Sequence, residues 1–473
     1  MLAAYYGMGE DASHLFQGLE ISKDESYDRH LNQYHCLLIN VQDFLSISTT
    51  IEEMLRTLQK KVSKELMKSF PDFDFEGELS LIDVMDDIFY ATKKPFVILI
   101  DEWDCIFRVF KEDFEAQKKY LDFLRLWLKD KAYVGLAYMT GILPIKKYGT
   151  HSALNMFWEY SMIQPSQFMS FFGFTSDEVQ ALVKDSQLNF SEIQGWYNGY
   201  FLESGRPIFN PTSVIQAIGR SEIANYWNET ESFEALKDYI RLDYGGLKEK
   251  ITCMIAGETV RVNTSTFSND MTTLSSEEDV LTLLIHLGYL SYNDLEREVR
   301  IPNEEVRQVF AASVKSLNWD GVASALQESE TLLKSVWAGN EDAVAKRIQK
   351  IHEKNTSILQ YNNENSLAAV LNLAFFTAME YYVCYRELPT GKGFADLVYL
   401  PRKKHADKPA LIVELKWNQS SETALSQIKS KNYPVALEDY YDNLLLIGII
   451  YNKTQKTYEC SIEKFEIIKE VPR

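Results

Sequence analysis

Cysteine is scarce in this chain: it has five among 473 residues, at positions 36, 105, 253, 384 and 460, and no two form a Cys-x-x-Cys pair. This scarcity excludes a disulfide framework and a cysteine-based zinc site. Apolar runs are short as well, since none approaches the roughly 20 residues that span a bilayer. No charged-then-apolar leader opens the chain. We therefore predict a cytoplasmic protein with no membrane partner.

Positive charge is also in deficit, because 49 Lys and Arg stand against 68 Asp and Glu, for a formal net charge of −19. A field of this sign repels nucleic acid on average and favours solubility. It excludes a protein that coats DNA through its general surface but leaves room for a local basic channel. Apolar residues make up 46% of the chain and charged residues 25%, as in ordinary globular proteins.

The first part of the chain alternates apolar strands with helical stretches. Strands are predicted at 36–42, 94–101 and 132–142, and helices at 50–70, 80–92 and 112–131. Buried strands separated by helices indicate parallel βαβ units.

The pattern changes after about residue 221, where helices dominate through about residue 354. The stretch "GYLSYNDLEREVRIP" is a β-ribbon candidate that resembles a small winged-helix element in its order. A second αβ pattern follows, with helices predicted at 364–386 and 422–431 and strands at 394–400, at 411–417 and in "NLLLIGIIYN". Using roughly 150 residues per domain as a guide, we predict three domains, at 1–215, 216–354 and 355–473.

The apolar run "LIVELKW" carries two charges, Glu414 and Lys416. Side chains alternate between the faces of a strand, so these two share one face, and Leu411, Val413 and Leu415 take the other, toward a core. Charges are seldom buried without a partner or a use. Two interpretations stay open on this segment alone: a functional pair, or a Glu–Lys ion pair that faces solvent at the end of a strand.

A second acid lies upstream in "GKGFADLVYLP", where Asp396 stands early in a predicted strand. Neighbouring strands would bring Asp396 close to Glu414, and two such carboxylates repel each other unless a cation lies between them. Mg²⁺, or Mn²⁺ in its place, suits such oxygen ligands, and Lys416 could steady the charge on a phosphate. The set predicts metal-assisted phosphodiester hydrolysis, with Glu364 and Gln427 as further catalytic candidates.

Plainer interpretations exist for the supporting residues. Glu364 opens a predicted helix, where the helix dipole favours a carboxylate, and Gln427 is also an ordinary residue for an exposed helix surface. The basic loop "PRKKHADKP" is either a guide for phosphate or a solvated hairpin tip.

Taken in chain order, these residues resemble the PD-(D/E)XK nuclease superfamily, in the version appended to a family of AAA-like ATPases. The matching order is a helix with Glu364, a strand with Asp396, a strand with Glu414 and Lys416, and a helix with Gln427 in "ALSQIKSKNY". The resemblance covers the last predicted domain. It implies a divalent metal on Asp396 and Glu414, a catalytic Lys416, and a nuclease of a prokaryotic cell with DNA as the expected substrate.

Acids also end the apolar run "FVILIDEWD", and Thr140 follows the next one, "GLAYM". In P-loop NTPases of the glutamate class, Asp101 would hold Mg²⁺, Glu102 would polarise the attacking water, and Thr140 would sense the γ-phosphate. The plainer interpretation is a pair of acids that begins a loop. Blocks such as "TGILPIKKYGTHSALNMFWEYSM", "GWYNGYFL" and "IFNPTSV" resemble the AAA-ATPase-like family in number and order. The resemblance implies ATP as the nucleotide and a metal at Asp101.

One motif of that family does not occur in the sequence, namely the phosphate-cradling loop G-x-x-x-x-G-K-[ST]. The family places it before a helix that resembles "MLAAYYGMGEDASHLF", so we expect the first strand and its loop to be missing and ATP binding to be impaired. The predicted fold class is α/β: a parallel P-loop NTPase-like, AAA-like sheet lacking its first strand, a helical, winged-helix-like middle region, and a C-terminal restriction-endonuclease-like αβ domain.

Two functions from different classes follow. The leading prediction is a metal-dependent nuclease fused to an incomplete AAA-like ATPase module, with nucleic acid as its partner. The alternative is a non-catalytic regulatory or scaffold protein, built from an ATPase-like module and an inactive nuclease-like domain. The acidic balance and the missing phosphate loop favour this alternative slightly. A homo-oligomer is left open, because AAA-like modules often form rings.

Overall fold

The computed structural model describes residues 1–75, 79–144, 147–148, 151–152, 154–168, 171–201, 207–227, 232–242, 244–267, 274–317, 319–355, 364–389, 394–417 and 435–465. The chain divides into two compact units. The first comprises residues 1–161 and 264–275, and the second comprises residues 162–263 and 276–473. No described helix combines the length and the hydropathy that crossing a membrane requires.

The first unit alternates helices and strands. Its helices are α1 (Leu2–Tyr6), α2 (Ser13–Phe16), α3 (Tyr27–His30), α4 (Val41–Ser46), α5 (Ile51–Ser69), α6 (Leu81–Thr92), α7 (Cys105–Val109) and α8 (Phe114–Leu128), with 3₁₀ turns at Glu20–Lys23 and Thr264–Thr266. Its strands are β1 (His35–Asn40), β2 (Phe96–Asp101), β3 (Val134–Met139) and the short pair β4 (Lys147–Tyr148) and β5 (His151–Ser152).

The main sheet of the first unit is parallel, in the order β1-β2-β3. β2 is the middle strand, and all its residues except Asp101 are buried, as expected for the centre of a parallel sheet. Asp101 ends the strand exposed, beside Asn40 of β1. The predicted parallel βαβ arrangement is confirmed, and it brings the carboxyl ends of three strands to one edge.

The long helices of this unit begin at side-chain caps. Thr50 accepts a hydrogen bond from the backbone N–H of Glu53 at the start of α5, and Ser80 forms a capping box with Asp83 at the start of α6. Such caps satisfy backbone donors that the first turn leaves open, so they define where each helix starts. Both starts agree with the sequence prediction to within a residue.

The second unit has more helices than the first. Its helices are α9 (Ser176–Val183), α10 (Phe190–Tyr197), α11 (Pro211–Arg220), α12 (Ser232–Arg241), α13 (Leu247–Ile255), α14 (Glu277–His286), α15 (Glu304–Ser316), α16 (Asp320–Trp337), α17 (Glu341–Lys354), α18 (Glu364–Ala374) and α19 (Ala378–Tyr381), with 3₁₀ turns at Ser166–Phe168, Lys403–His405 and Val435–Asn443. Its strands are β6 (Tyr200–Phe201), β7 (Pro207–Ile208), β8 (Val260–Arg261), β9 (Ser291–Asn293), β10 (Glu298–Arg300), β11 (Tyr382–Pro389), β12 (Phe394–Pro401), β13 (Ala410–Trp417), β14 (Leu444–Asn452) and β15 (Thr457–Lys464).

A small antiparallel sheet lies among the middle helices, in the order β8-β10-β9. β9 and β10 form a hairpin in which Val299 pairs with Tyr292. This hairpin confirms the ribbon that the sequence predicted between the helices of the middle region.

A five-stranded mixed sheet forms the C-terminal part, in the order β11-β12-β13-β14-β15. β13 and β14 are parallel, and the other neighbouring strands are antiparallel. β13 occupies the centre, and its residues from Ala410 to Val413 have no exposed surface. The central strand is therefore the one that carries Glu414 and Lys416.

The predicted helix at 364–386 is wrong beyond Ala374, because the chain turns through α19 into strand β11 at Tyr382. α18 is buried along most of its described length, and a run that is apolar on all sides gives no periodicity to show where a helix ends. The signal for a strand was the aromatic and β-branched content of "YYVCY". The predicted helix at 422–431 lies outside the described residues.

Candidate functional site

The two central strands of the C-terminal sheet bring the predicted acids to adjacent positions. β12 and β13 pair in the antiparallel sense, and the ladder includes Leu397 opposite Val413. The next residues along the two strands are Asp396 and Glu414. Asp396 lies in β12 by its backbone, and its side chain lies outside the described part of the chain.

Glu414 and Lys416 form an ion pair on one face of β13, with 3.0 Å between Lys416 Nζ and Glu414 Oε1. The Glu414 side chain has no solvent exposure, whereas that of Lys416 is 22% exposed. The parallel strand β14 places Gly448 opposite Glu414, so the directly opposite position on that strand has no side chain. The sequence interpretation of a solvent-facing pair is thus half right: the two residues pair, but the acid is buried.

An apolar cluster borders Glu414 on its own face of the sheet. Ile412, two residues earlier and so on the same face, packs with Val398 of β12 and with Leu446 and Leu437. Glu414 thus lies at the edge of this apolar cluster, where Lys416 provides the positive partner that a buried carboxylate requires.

Helices cover the opposite face of the same strands. Leu411 and Val413 point to that face and are fully buried, as the sequence predicted. The ring of Phe375, just after α18, stacks on Tyr399 of β12 with centroids 5.6 Å apart. The strands are therefore held from one side while Glu414 and Lys416 point to the other.

The remaining predicted residues of this centre stay predictions. Glu364 is the first residue of α18, as expected, but its side chain lies outside the described residues, and Gln427 lies within the undescribed stretch 418–434. Among the side chains that the structure describes, no group of three or more His, Cys, Asp or Glu could hold a metal ion. The ligand set that the sequence predicts therefore includes carboxylates outside the described side chains.

The basic loop between β12 and β13 does not point freely into solvent. Arg402 is buried and forms an ion pair with Glu192 of α10 at 2.7 Å, and its guanidinium lies 4.7 Å from the ring centre of Trp196. Lys403 Nζ donates to the Gln187 carbonyl. These cations join the sheet to α10, which neither sequence interpretation of the loop included.

The other cations of this loop also have nearby partners. Lys404 forms an exposed ion pair with Glu222 at 2.8 Å. Lys408 pairs with Asp407 and lies over the ring of Trp337. Trp196, whose role the sequence left undefined, thus provides the surface on which Arg402 stacks.

In the first unit, Asp101 and Thr140 meet at the carboxyl ends of neighbouring strands. Thr140 follows β3, and its hydroxyl donates to Asp101 Oδ1 at 2.5 Å. Glu102 has a positive φ of 53° and pairs with Arg108. Asp101 is therefore the exposed acid of this edge, whereas Glu102 is held by a cation that the sequence prediction did not include.

Asp104, the last acid of "DEWD", has a structural environment. Its side chain is fully buried, accepts a hydrogen bond from the Leu143 N–H at 2.9 Å and lies 3.5 Å from Arg108 Nε. Burial raises the pKa of Asp104 above its usual range. The four-residue spacing from Asp104 to Arg108 was the available signal for this contact.

Comparison with known proteins gives two domain matches. Residues 1–150 match the family described as "Predicted AAA-ATPase", and residues 362–460 match the PD-(D/E)XK nuclease superfamily. No curated protein matches the chain. All the predicted site residues fall inside the two matched ranges: Asp101, Glu102 and Thr140 in the first, and Glu364, Asp396, Glu414, Lys416 and Gln427 in the second.

Proposed function

We propose that this chain, which joins a predicted AAA-ATPase-like domain to a PD-(D/E)XK nuclease superfamily domain, hydrolyses phosphodiester bonds of nucleic acid at its C-terminal sheet. The supporting observation is the buried Glu414 carboxylate, paired with Lys416 on one face of the central strand. The superfamily domain indicates a nuclease, and we propose DNA as its substrate and Mg²⁺ as its metal.

The chemistry of the donors fits a divalent cation. A carboxylate without solvent exposure needs a positive partner, and Glu414 has Lys416 at 3.0 Å as one such partner. The ladder of β12 and β13 continues toward Asp396, which would add a second carboxylate. Mg²⁺ is commonly held by one or two carboxylates together with waters and substrate phosphate, so two acids are sufficient.

A divalent metal held by Asp396 and Glu414 would acidify a water molecule and offset the charge of the phosphate. Lys416, partly exposed and anchored by Glu414, can present its remaining N–H donors to a phosphate oxygen. We propose that Glu364 and Gln427 assist at the same centre, Glu364 through a further carboxylate and Gln427 by orienting water or phosphate.

The test is cleavage of labelled DNA and RNA oligonucleotides in Mg²⁺ by the full chain and its variants. Glu414→Gln and Lys416→Met should each lower the cleavage rate by about 100-fold or more, because each removes a group that stabilises transition-state charge. Glu459→Gln is the matched control, since Glu459 is an exposed acid of β15 in the same sheet. Unchanged cleavage in both site variants, with native circular dichroism, would reject the assignment of these residues. Absence of cleavage by the wild-type chain would favour the scaffold alternative.

We also propose that Asp101 and Thr140 bind nucleotide in the first unit. Their mutual hydrogen bond at the edge formed by the strand ends supports this role. Glu102 would have to leave Arg108 before it could polarise a water molecule, so the geometry supports binding through Asp101 more than catalysis through Glu102.

A further inference from the structure

The outward face of α5 concentrates positive charge in an otherwise acidic chain. Arg56, Lys60, Lys64 and Lys68 follow each other at four-residue intervals, with Lys61 beside them, and all five are exposed. Since an α-helix has 3.6 residues per turn, this spacing forms a single stripe that drifts slowly around the helix. We call these five residues the α5 basic stripe.

The opposite face of α5 packs into the core of the first unit. Met54, Leu58, Val62 and Leu66 are at most 7% exposed, and α5 packs on α4, α6 and α8. A helix that binds a membrane surface needs an apolar face to insert into the lipid. α5 has no such face left to offer, so the stripe acts through charge alone.

The stripe is not neutralised by the carboxylates around it. Within the described residues, no ion pair joins any of its five cations to an acid. In the first turn, Glu52 pairs with Lys119, and Glu53 accepts hydrogen bonds from Thr49 and also attracts Arg56 electrostatically. Glu65 is the one acid between Arg56 and Lys68, which leaves a local charge of five minus one, or +4.

We propose that the α5 basic stripe binds the phosphate backbone of nucleic acid. Arg56 and Lys68 are about 18 Å apart along the helix axis, at 1.5 Å per residue. A stripe of this length can contact several successive phosphates of one strand. Arg and Lys are the side chains that most often contact phosphates, so we expect the binding to depend mainly on the phosphate backbone.

This inference relies on the proposed function for the choice of polymer and goes beyond it by assigning a nucleic-acid surface to the first unit. Such a surface would let the first unit hold a substrate that the second unit cuts. It also reconciles an acidic protein with a polyanionic substrate, because binding requires only a local basic region.

The experiment measures binding of the full chain to a fluorescent 30-base-pair duplex in EDTA, so that no cleavage occurs. In Lys60→Gln/Lys64→Gln the affinity at 0.1 M salt should fall by about tenfold or more, and the slope of log K against log salt should fall by about 0.9 for each phosphate that is no longer neutralised. Glutamine has nearly the helix propensity of lysine, so α5 should stay folded. Lys60→Arg/Lys64→Arg should bind like the wild type.

The control pair is Lys111→Gln/Lys118→Gln, which removes two exposed lysines of the same unit outside the stripe and should change affinity little. Equal affinity of the stripe and control variants would overturn the proposal, as would binding to phosphatidylglycerol vesicles in place of DNA. Failure of the nuclease proposal would appear only in the cleavage assay, so the two failures are distinguishable.

Discussion

Gly199, at the residue scale, is a position that only glycine can occupy. Its φ is +111°, and a Cβ added there would lie 1.9 Å from the carbonyl oxygen of Pro302. That contact joins the end of α10 to the segment that leads into α15, and backbone atoms on both sides leave little room to move. The glycine of "WYNGY" is thus explained by close packing of two backbones.

We predict that Gly199→Ala lowers the free energy of unfolding by about 3 kcal/mol or more, because it adds both a clash and an unfavourable φ. Gly195→Ala is the matched control on α10, where an added Cβ meets nothing within 4 Å. That change should stabilise by about 0.5–1 kcal/mol, since alanine is the better helix former. Urea denaturation of both variants measures the two changes in the free energy of unfolding. Similar changes in the two variants would contradict the prediction.

Glu305 is a buried acid with three hydrogen-bond donors around it. Its carboxylate accepts from the Ser213 hydroxyl and from the backbone N–H groups of Tyr226 and Trp227, at 2.7 to 3.0 Å. Burial nevertheless raises the pKa of Glu305 above its usual value, more than these hydrogen bonds lower it. The residue ties α15 to α11 but carries a penalty whenever it ionises.

We predict a pH trend from this carboxyl. Because its pKa is higher in the folded state than in the unfolded state, its contribution to stability is greatest at low pH and falls as pH rises through the raised value. Glu305→Gln removes the titration, so its stability relative to the wild type should increase between about pH 4 and pH 7. Chemical denaturation across that range measures the difference in the free energy of unfolding between Glu305→Gln and the wild type, and Glu296→Gln, at an exposed acid, is the control. A difference that does not change with pH would contradict the prediction.

At the scale of elements, Arg402 connects the C-terminal sheet to the helices that precede it. Besides Glu192 and Trp196, it donates from Nη2 to the carbonyl of Met379 in α19 at 3.2 Å. The guanidinium suits this position because one planar group can stack and donate at once, which lysine cannot do. The loop that leads from β12 to β13 is therefore anchored at its first residue.

We predict that Arg402→Met destabilises the chain by about 3 kcal/mol, since it leaves the mostly buried Glu192 without its closest cation. Glu192→Gln/Arg402→Met should recover part of that loss, because the uncompensated charge is gone. Lys404→Met is the control, as its ion pair with Glu222 is exposed and worth little. Equal destabilisation by the Arg402 and Lys404 variants in urea denaturation would contradict this connecting role of Arg402.

The whole molecule contains two predicted metal sites in separate compact units. Asp101 ends β2 in the first unit, and Asp396 and Glu414 lie on neighbouring strands in the second. Each site should bind independently, because the residues proposed to hold each metal belong to a single unit. Metal binding at the second site distinguishes the nuclease from the scaffold alternative, since a scaffold does not require a metal there.

We predict that Mn²⁺ stabilises the second unit by about 2.7 kcal/mol when present at 100 times its dissociation constant. Asp396→Asn and Glu414→Gln should abolish this stabilisation, whereas Asp101→Asn should leave it intact. Calorimetric titration measures the dissociation constant of Mn²⁺, and thermal unfolding measures the stabilisation. Stabilisation that survives in Glu414→Gln, or that disappears in Asp101→Asn, would argue against a metal on Glu414.

Local pattern was sufficient to determine the elements that matter most. The apolar run before Asp101 predicted a buried strand, and the two-residue spacing of Glu414 and Lys416 predicted one shared face; the structure confirms both. These features depend on residues close in sequence, where the periods of strand and helix decide the outcome. The order of the predicted site residues along the C-terminal region came from the resemblance to a known family and not from these periods.

Tertiary structure alone decided the register, the burial and the distant partners. No local signal states that Leu397 pairs with Val413 or that Glu414 is fully buried beside Gly448. Arg402 meets Glu192 across 210 positions of sequence. Such contacts arise when separate elements pack to bury apolar surface together, so their geometry is a property of the assembled core and not of any one segment.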